Sequence, residues 1–344
     1  MSGSTPSSIG SWFTSPPPPA AVEISSRRVN VVGVAVQGGS RTITGQSSEL
    51  LPAGLVTPSL NALNVHDVAA LGAAIKAAMD RLTPRPRRAA LIIPDTVVKV
   101  SMVRFEKLPK PQDFEQLVRW QIRKSVPFRI EDAQVSWTDA ADIPSGGREF
   151  LVLASRRDII QSYERACDLA GVHAGIVDIV SLNLVNAVLA TVAGDASAGA
   201  AASRAASKDD WLLVYAEPEF ATLAVVRGGR VIFYRNRPSD DATTDMGDLV
   251  HQTAMYFEDR LGGGAFSRVV LAGASSYGPE ADLLRRQIEE RLGMRVTPLD
   301  VRSGVALRDR IAAGPELLDA IAPAVGVLLR DRPLAASRGG ERVP

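Results

Sequence analysis

The chain has 344 residues and a formal net charge of +1, and 46% of its residues are hydrophobic, 22% charged and 5% aromatic. This length and composition predict a globular protein of two lobes with aliphatic cores, and the balanced charge argues against nucleic acid as the main partner, because binding phosphates takes a surplus of bases. The three histidines have no metal-ligand spacing, so neither zinc chemistry nor a cysteine–histidine nucleophile is expected. The lone Cys167 lies on the apolar face of a predicted helix and cannot form an internal disulfide.

Residues 1–20 are predicted to form a disordered, proline-rich tail. They contain Trp12-Phe13 and Pro16–Pro19, and they lack the basic region and apolar core of a secretory signal. The aromatic pair could contact a partner or a lipid surface, or it could belong to a tail that makes no such contact. The longest uncharged stretch, Ile179 to Gly194, is too short and too polar to cross a bilayer, so we expect a soluble protein that reaches a membrane only through partners.

Residues 21–87 and 173–192 are predicted to form a first lobe. Two β-branched strands joined by a turn at Ser25–Arg28 precede an amphipathic helix over about Val65–Leu82. The short strand Gly175–Ile179 and the helix after it return the chain to this lobe.

Residues 88–172 are predicted to form an inserted α+β subdomain. Strands at Leu91–Ile93 and Val97–Phe105 lead to an amphipathic helix with Asp113 as its N-cap. The expected apolar face of this helix comprises Phe114, Leu117, Val118 and Ile122. The helix must end before Pro127, because the residue before a proline is pushed out of the α region. Two more strands and a helix at Asp158–Ala170 complete the subdomain.

The second half repeats the first in outline. Residues 193–209 are rich in alanine, glycine and serine and predict a flexible linker. Residues 210–330 then predict a second lobe, with three strands joined by tight turns, a helix over about Asp245–Leu261, and alternating strands and helices. Residues 331–344 are predicted to be a tail.

Two stretches of the inserted subdomain are distinctive: they read Leu117-Val118-Arg119-Trp120-Gln121 and Val126-Pro127-Phe128-Arg129-Ile130-Glu131-Asp132. Three further marks lie outside it: Val177-Asp178-Ile179, Leu271-Ala272-Gly273 and Ala322-Pro323-Ala324-Val325-Gly326. Together they resemble the PilM family of type IV pilus assembly proteins, a relative of the cell-division protein FtsA, over nearly the whole folded chain. The resemblance implies an α/β, actin-like (ribonuclease H-like) fold of two duplicated lobes with an inserted small α+β subdomain.

The resemblance also implies a nucleotide cleft, because actin-like ATPases hold phosphates between two turns that usually contain an aspartate and a glycine. The first turn here is Glu23-Ile24-Ser25-Ser26-Arg27, in which glutamate replaces the aspartate and serine replaces the glycine. Ser25 and Ser26 could donate hydrogen bonds and Arg27 could pair with a phosphate, although a plain hairpin turn explains the same residues.

The second turn, Tyr215-Ala216-Glu217-Pro218-Glu219, is less suited to a nucleotide. Pro218 has no N–H to donate, and a like-charge contact between a glutamate and a phosphate costs roughly 4 kcal/mol at about 4 Å and an effective dielectric near 20. This half of the phosphate clamp is therefore expected to be lost.

Two other parts of the family's nucleotide site have counterparts here. Asp178 matches the acidic residue that faces the metal through water, and it also fits an N-cap of the next helix. Gly273, Ala274 and Ser275 match the adenosine-binding glycine loop, and they also fit a tight strand-to-helix connection. We therefore expect ATP and Mg²⁺ to bind weakly at best, without useful hydrolysis and with no assigned catalytic residue.

The resemblance assigns the partner as well. It implies a cytoplasmic scaffold at the inner membrane that binds the N-terminal tail of a PilN-like membrane protein and links the pilus motor to the membrane platform. The tail would lie in a groove bordered by the Ala90–Phe105 strands and the Phe114–Ser125 helix. Arg119, Arg123 and Arg129 are the expected rim contacts, and charge reversal at Arg123 is expected to weaken binding of the partner.

Other readings of the sequence stay open. An active actin-like or sugar-kinase-like ATPase would need an aspartate base and intact phosphate loops. A cytoplasmic component resembling GspL of type II secretion would be fused to a transmembrane helix, which Arg330–Pro344 does not provide. An FtsA-like filament former would need a C-terminal amphipathic helix, and Asp331–Pro344 has no apolar face.

Overall fold

The computed structural model describes residues 18–37, 40–142, 147–195, 209–238, 246–302, 304–307 and 314–329. The predicted C-terminal tail, most of the predicted N-terminal tail and most of the predicted linker lie outside these described residues.

The elements follow in chain order. The strands are β1 Ala20–Ile24, β2 Arg28–Gln37, β3 Ser40–Leu50, β4 Arg88–Ile93, β5 Lys99–Phe105, β6 Ala133–Asp142, β7 Arg148–Arg156, β8 His173–Ile179, β9 Trp211–Glu217, β10 Phe220–Arg227, β11 Arg230–Pro238, β12 Arg268–Ala272, β13 Val296–Pro298 and β14 Ala306–Leu307. The helices are α1 Val68–Met79, α2 Pro111–Ile122, α3 Arg157–Leu169, α4 Val180–Asp195, α5 Met246–Leu261, α6 Ala281–Leu292 and α7 Pro315–Leu329.

The strands build three sheets. The first has the order β14-β3-β2-β1-β4-β8, the second β11-β10-β9-β12-β13, and the third β5-β7-β6. In the first sheet β1 pairs antiparallel with β2 and parallel with β4, and in the second β9 pairs antiparallel with β10 and parallel with β12. This repeated pairing is the structural form of the duplication that the sequence predicts.

The first sheet is buried on both faces, which explains its continuous runs of apolar residues. Because successive side chains of a strand point to opposite faces, Val22 and Ile24 pack with α1 and α3, whereas Ala21 packs with α4 and α7 between the two large sheets. On the outer side, Cys167 of α3 is fully buried beside Tyr163, which confirms the predicted core cysteine. The second sheet is covered on its far side by α5 and α6.

Strand β4 is an inner strand of the first sheet, between β1 and the edge strand β8. The predicted inserted subdomain starts at residue 88 and so includes β4, because a hydrophobic pattern cannot tell which sheet a buried strand joins. Asp95–Val97 forms a 3-10 turn after β4, so the next strand starts at Lys99 rather than at Val97. The full domain division remains a prediction.

Helix α2 corrects two local predictions. It begins with Pro111 at its first helical position and has Lys110 at the N-cap, so Asp113 lies inside the first turn instead of capping it. Proline suits this position because its missing N–H has no partner in the first turn of a helix. Phe114 and two other side chains of α2 are buried as expected, but Leu117 is 39% exposed and does not belong to the core face.

Helices α4 and α7 approach so closely that only a glycine fits at one crossing point. A Cβ at Gly326 would lie 1.8 Å from the backbone oxygen of Asn183. Backbone atoms cannot move aside as the end of a flexible side chain can, so this contact fixes the distance between the helices.

We expect Gly326→Ala to lower the free energy of unfolding by at least about 2 kcal/mol, because overpacking here outweighs the better helix propensity of alanine. Urea denaturation measures the change. Gly264→Ala is the matched control, because a Cβ at Gly264 has no neighbour within 4 Å. Equal stability of the two variants would contradict the tight helix crossing.

Candidate functional site

The first turn joins β1 to β2 and is closed by its own serine. The Ser25 hydroxyl oxygen accepts from the backbone N–H groups of Arg27 at 3.3 Å and Arg28 at 3.1 Å. These bonds hold the hairpin in the way that serine side chains commonly stabilise turns. Ser25 therefore shapes the turn and leaves Ser26 and Arg27 at its tip.

Both side chains at this tip contact a carboxylate of the second turn. The Ser26 hydroxyl lies 2.8 Å from each carboxylate oxygen of Glu219, and the Arg27 Nε donates to Glu219 at 3.3 Å. The two groups expected to bind phosphate are thus engaged by an anion of the chain itself. Sequence analysis identified Glu219 as a repulsive charge, but it did not foresee this contact between residues 193 positions apart.

Two further carboxyl groups lie at the base of the cleft between the turns. Glu23 is buried, and burial raises its pKa to about 7, while a hydrogen bond from Asn30 Nδ2 at 3.2 Å acts in the opposite direction. Burial also raises the pKa of Glu217 to about 7, and the charge of Glu23 adds to the rise. Near neutral pH each group is therefore partly protonated, and in its charged form it would repel a phosphate.

The glycine loop after β12 is also occupied by a side chain of the protein. The Asp319 carboxylate of α7 accepts from the N–H of Gly273 at 2.8 Å and from the N–H of Ser275 at 2.9 Å, and Ala274 lies between these two residues. Gly273 has a φ of +78°, and a Cβ there would lie 2.5 Å from the Ala216 oxygen. The predicted loop thus has the shape of an anion-binding turn, with Asp319 as its anion.

Asp319 was missed by sequence analysis. It lies near the start of α7, a largely apolar helix, and it meets Ser275 of the loop 44 positions away in sequence. No local pattern marks such a contact.

Asp95, which sequence analysis also missed, occupies the junction between the lobes. It is buried, and it accepts from the N–H of Ser181 at 3.0 Å and from the hydroxyl of Thr222 at 2.7 Å. Burial raises its pKa to about 6, and these hydrogen bonds moderate the rise. Asp95 therefore bonds the first turn of α4, an arrangement that the sequence analysis had considered for Asp178.

Asp178 lies elsewhere, at a groove between the first and third sheets. This β6–β8 groove has a volume of about 780 Å³ and is bordered by β6, β8, α3 and the start of α4. Asp178 lines it and accepts from the N–H of Ile179 at 2.8 Å. Asp178 thus lines a different cavity from Ser26, which lines one of about 910 Å³ between the lobes.

The three arginines predicted at a partner-binding rim belong to the outer side of the inserted subdomain. Arg119 donates to the backbone oxygens of Ile130 at 3.1 Å and Ala133 at 3.2 Å, and so ties α2 to β6. Arg123 lies over the ring of Trp120, and Arg129 pairs with a neighbouring glutamate. The lining of the β6–β8 groove includes none of the three.

The buried carboxyl groups generate a prediction about pH. Glu23 has its usual pKa of 4.5 when unfolded and about 7 when folded, so the stability that its bound proton provides is complete below pH 4.5 and is lost as the pH rises through 7. Glu23→Gln keeps an acceptor for Asn30 and cannot ionise. We expect it to raise the free energy of unfolding at pH 8 by up to about 3 kcal/mol, with little change at pH 4.

Chemical denaturation at both pH values tests this expectation. Glu290→Gln, at an exposed position of α6, is the matched control and should leave the pH profile unchanged. A Glu23→Gln variant with the same pH profile as the unmodified chain would show that Glu23 ionises freely.

The described residues contain no group of three or more histidine, cysteine, aspartate or glutamate side chains arranged to hold a metal ion. Among these residues there is also no helix long and apolar enough to cross a membrane.

Solved structures share the fold. A chain of the PilM–PilN type IV pilus biogenesis complex matches with a TM-score of 0.72 and 18% identity, over 90% of this chain and 96% of that chain. The ethanolamine utilization protein EutJ from Carboxydothermus hydrogenoformans matches with a TM-score of 0.45 and 10% identity, over 92% of this chain and 91% of its own. The first likeness confirms the predicted α/β, actin-like fold of two lobes, while the second is too distant to support an argument.

Comparison of the sequence with curated proteins and with family models identifies the family of this chain. No curated protein matches the chain in sequence. The model of the family described as type IV pilus assembly protein PilM matches residues 21–245, which is well over half of the chain. The chain therefore belongs to the PilM family of type IV pilus assembly proteins.

Proposed function

We propose that this chain is a cytoplasmic scaffold of type IV pilus assembly that binds the N-terminal tail of a PilN-like inner-membrane protein. Through that tail it would sit at the inner membrane and link the pilus motor to the membrane platform. Membership of the PilM family supports this function, and the shared fold with a chain of a PilM–PilN complex agrees with it. The observation that carries the proposal is the β6–β8 groove.

The groove suits an extended peptide because a sheet edge borders it on each side. β8 is the last strand of the first sheet, and β6 is the last strand of the third. An edge strand offers unpaired N–H and C=O groups, to which an extended segment can add as a further strand. The tail would therefore gain main-chain hydrogen bonds that need no particular sequence.

The lining adds specificity to these backbone bonds. Apolar side chains such as Leu153, Val177 and Leu182 line the groove, and Arg157, Glu164 and Arg230 supply charges of both signs. A tail with alternating apolar and charged residues fits such a surface, because alternate side chains of a strand point to opposite sides. The proposed groove is therefore bordered by α3 and β8, whereas the sequence predicted a border formed by α2.

Weak nucleotide binding belongs to the same proposal. A phosphate that reaches the first turn must displace Glu219, and one that reaches the glycine loop must displace Asp319. The hydrogen bonds of both carboxylates would have to break before ATP could contact either site. In addition, Glu23 stands where the family usually has an aspartate. An active ATPase therefore has less support in this geometry than a scaffold.

The nucleotide proposal predicts the effect of Glu219→Ser. Removing this carboxylate frees Ser26 and Arg27 and removes one repulsive charge, so we expect ATP with Mg²⁺ to bind at least about tenfold more tightly, a gain of about 1.4 kcal/mol or more. Isothermal calorimetry measures the affinity. Glu290→Ser, at an exposed position of α6, is the control. Micromolar affinity with turnover in the unmodified chain would contradict the proposal.

The tail proposal predicts the effect of filling the groove. Gln161 is an exposed residue of α3 that lines the groove, so tryptophan at this position is expected to block the peptide without disturbing a core. We expect Gln161→Trp to weaken binding of a synthetic PilN-like N-terminal peptide at least about tenfold, because the peptide and the indole compete for the same volume. Fluorescence anisotropy of the labelled peptide measures this.

Gln252→Trp, at an exposed position of α5 in the second lobe, is the matched control and should bind the peptide normally. Unchanged peptide affinity in Gln161→Trp would exclude the β6–β8 groove as the binding site.

A further inference from the structure

The outer face of α2 exposes apolar side chains to water. Trp120 is 61% exposed, Leu117 is 39% exposed, and Leu108, just before the helix, is 50% exposed. With 3.6 residues per turn, Trp120 lies on the side of the helix opposite the buried Phe114 and Val118. Single exposed apolar residues are common, but three along one short segment mark an interaction surface.

The same segment concentrates positive charge. Residues 107–129 contain six of the 39 lysines and arginines of the chain and only two of its 38 acidic residues, although the whole chain has a net charge of +1. Arg119 is neutralised by Glu115. Four of the remaining cations have no ion pair among the described residues: Lys107, Lys110, Arg123 and Lys124. The segment therefore carries a local surplus of positive charge.

Two of these cations lie at the same end of α2 as the exposed indole. The Arg123 guanidinium lies 5.8 Å from the centre of the Trp120 ring, and Lys124 follows it on the exposed side of the helix end. Leu117 is one helical turn before Trp120. An indole beside lysine and arginine is the arrangement found where proteins meet the headgroup region of a bilayer.

We propose that the outer face of α2 and the residues at its C-terminal end, namely Leu117, Trp120, Arg123 and Lys124, bind an anionic lipid bilayer directly. Trp120 and Leu117 enter the headgroup region, and the lysines and arginines pair with lipid phosphates. This surface is one convex helix face, which a flat and fluid bilayer covers without a matching groove. Three exposed apolar side chains are few for the buried centre of a stable protein interface.

This contact goes beyond the proposed function, in which the membrane is reached only through a partner's tail. It does not depend on the β6–β8 groove, because the lining of that groove includes no residue of α2. The two contacts can therefore be removed separately by substitution.

The test is sedimentation of the full chain with vesicles. We expect binding to vesicles of equal parts phosphatidylcholine and phosphatidylglycerol, little binding to phosphatidylcholine alone, and loss of binding at high salt. The double variant Arg123→Glu with Lys124→Glu should bind the mixed vesicles at least about tenfold more weakly. Binding of the unmodified chain to neither type of vesicle, or equally to both, would overturn the proposal.

A matched double variant controls for charge alone. Arg260→Glu with Arg295→Glu makes the same change at two exposed positions of the second lobe and should leave vesicle binding unchanged. Circular dichroism and thermal unfolding should show both double variants folded. An equal loss of binding in the two variants would mean that net charge, not α2, causes the binding, and would overturn the proposal.

Two more measurements separate the bilayer from a protein partner. The blue shift of tryptophan emission on adding mixed vesicles should be reduced in Trp120→Phe, because this indole is the one that enters the headgroups. The Arg123→Glu and Lys124→Glu variant should still bind the PilN-like peptide. Lost peptide binding with retained vesicle binding would assign this face to the protein partner, as the sequence first suggested for Arg123.

Discussion

The buried carboxylate of Asp95 joins the three sheets of this protein. Asp95 begins the 3-10 turn that leads from β4 of the first sheet to β5 of the third, and it accepts from the Thr222 hydroxyl of β10 in the second. A buried carboxylate is costly unless donors surround it, and the N–H of Ser181 supplies another one here. Asp95 therefore links the two lobes by hydrogen bonds, beside the apolar core between the two large sheets.

In the cleft between the lobes, too, carboxylates of the chain accept hydrogen bonds from donors of the chain itself. Glu219 holds the donors of the first turn, and Asp319 holds the N–H groups of the glycine loop, so each anion-binding feature of the actin-like cleft already has an anion. The outer edges of β6 and β8, by contrast, have no partner strand, because each is the last strand of its sheet among the described residues. Such strand edges are places where an extended peptide can add to a sheet.

Local sequence patterns predicted most elements but few of the contacts between them. Periodicity found the core of α3 around Cys167 and the buried stripe of α2, since both repeat every three or four residues. It could not exclude Leu117 from that stripe or recognise that Arg119 bonds the Ala133 oxygen, because those facts depend on where β6 lies. The contact of Ser26 with Glu219 was beyond reach for the same reason, since 193 positions separate the two residues.

The third sheet gives the small inserted subdomain two different surfaces. Along β7, Phe150 and Val152 point toward α2, whereas Leu151 and Leu153 point toward the β6–β8 groove, because side chains alternate along a strand. A membrane protein's tail in the groove would hold the chain near the bilayer and so raise the effective concentration of the α2 outer face there. Each contact could then be weak on its own and still keep the chain at the membrane. Two attachment points on opposite sides of one sheet would also fix its orientation, which a single flexible tail cannot do.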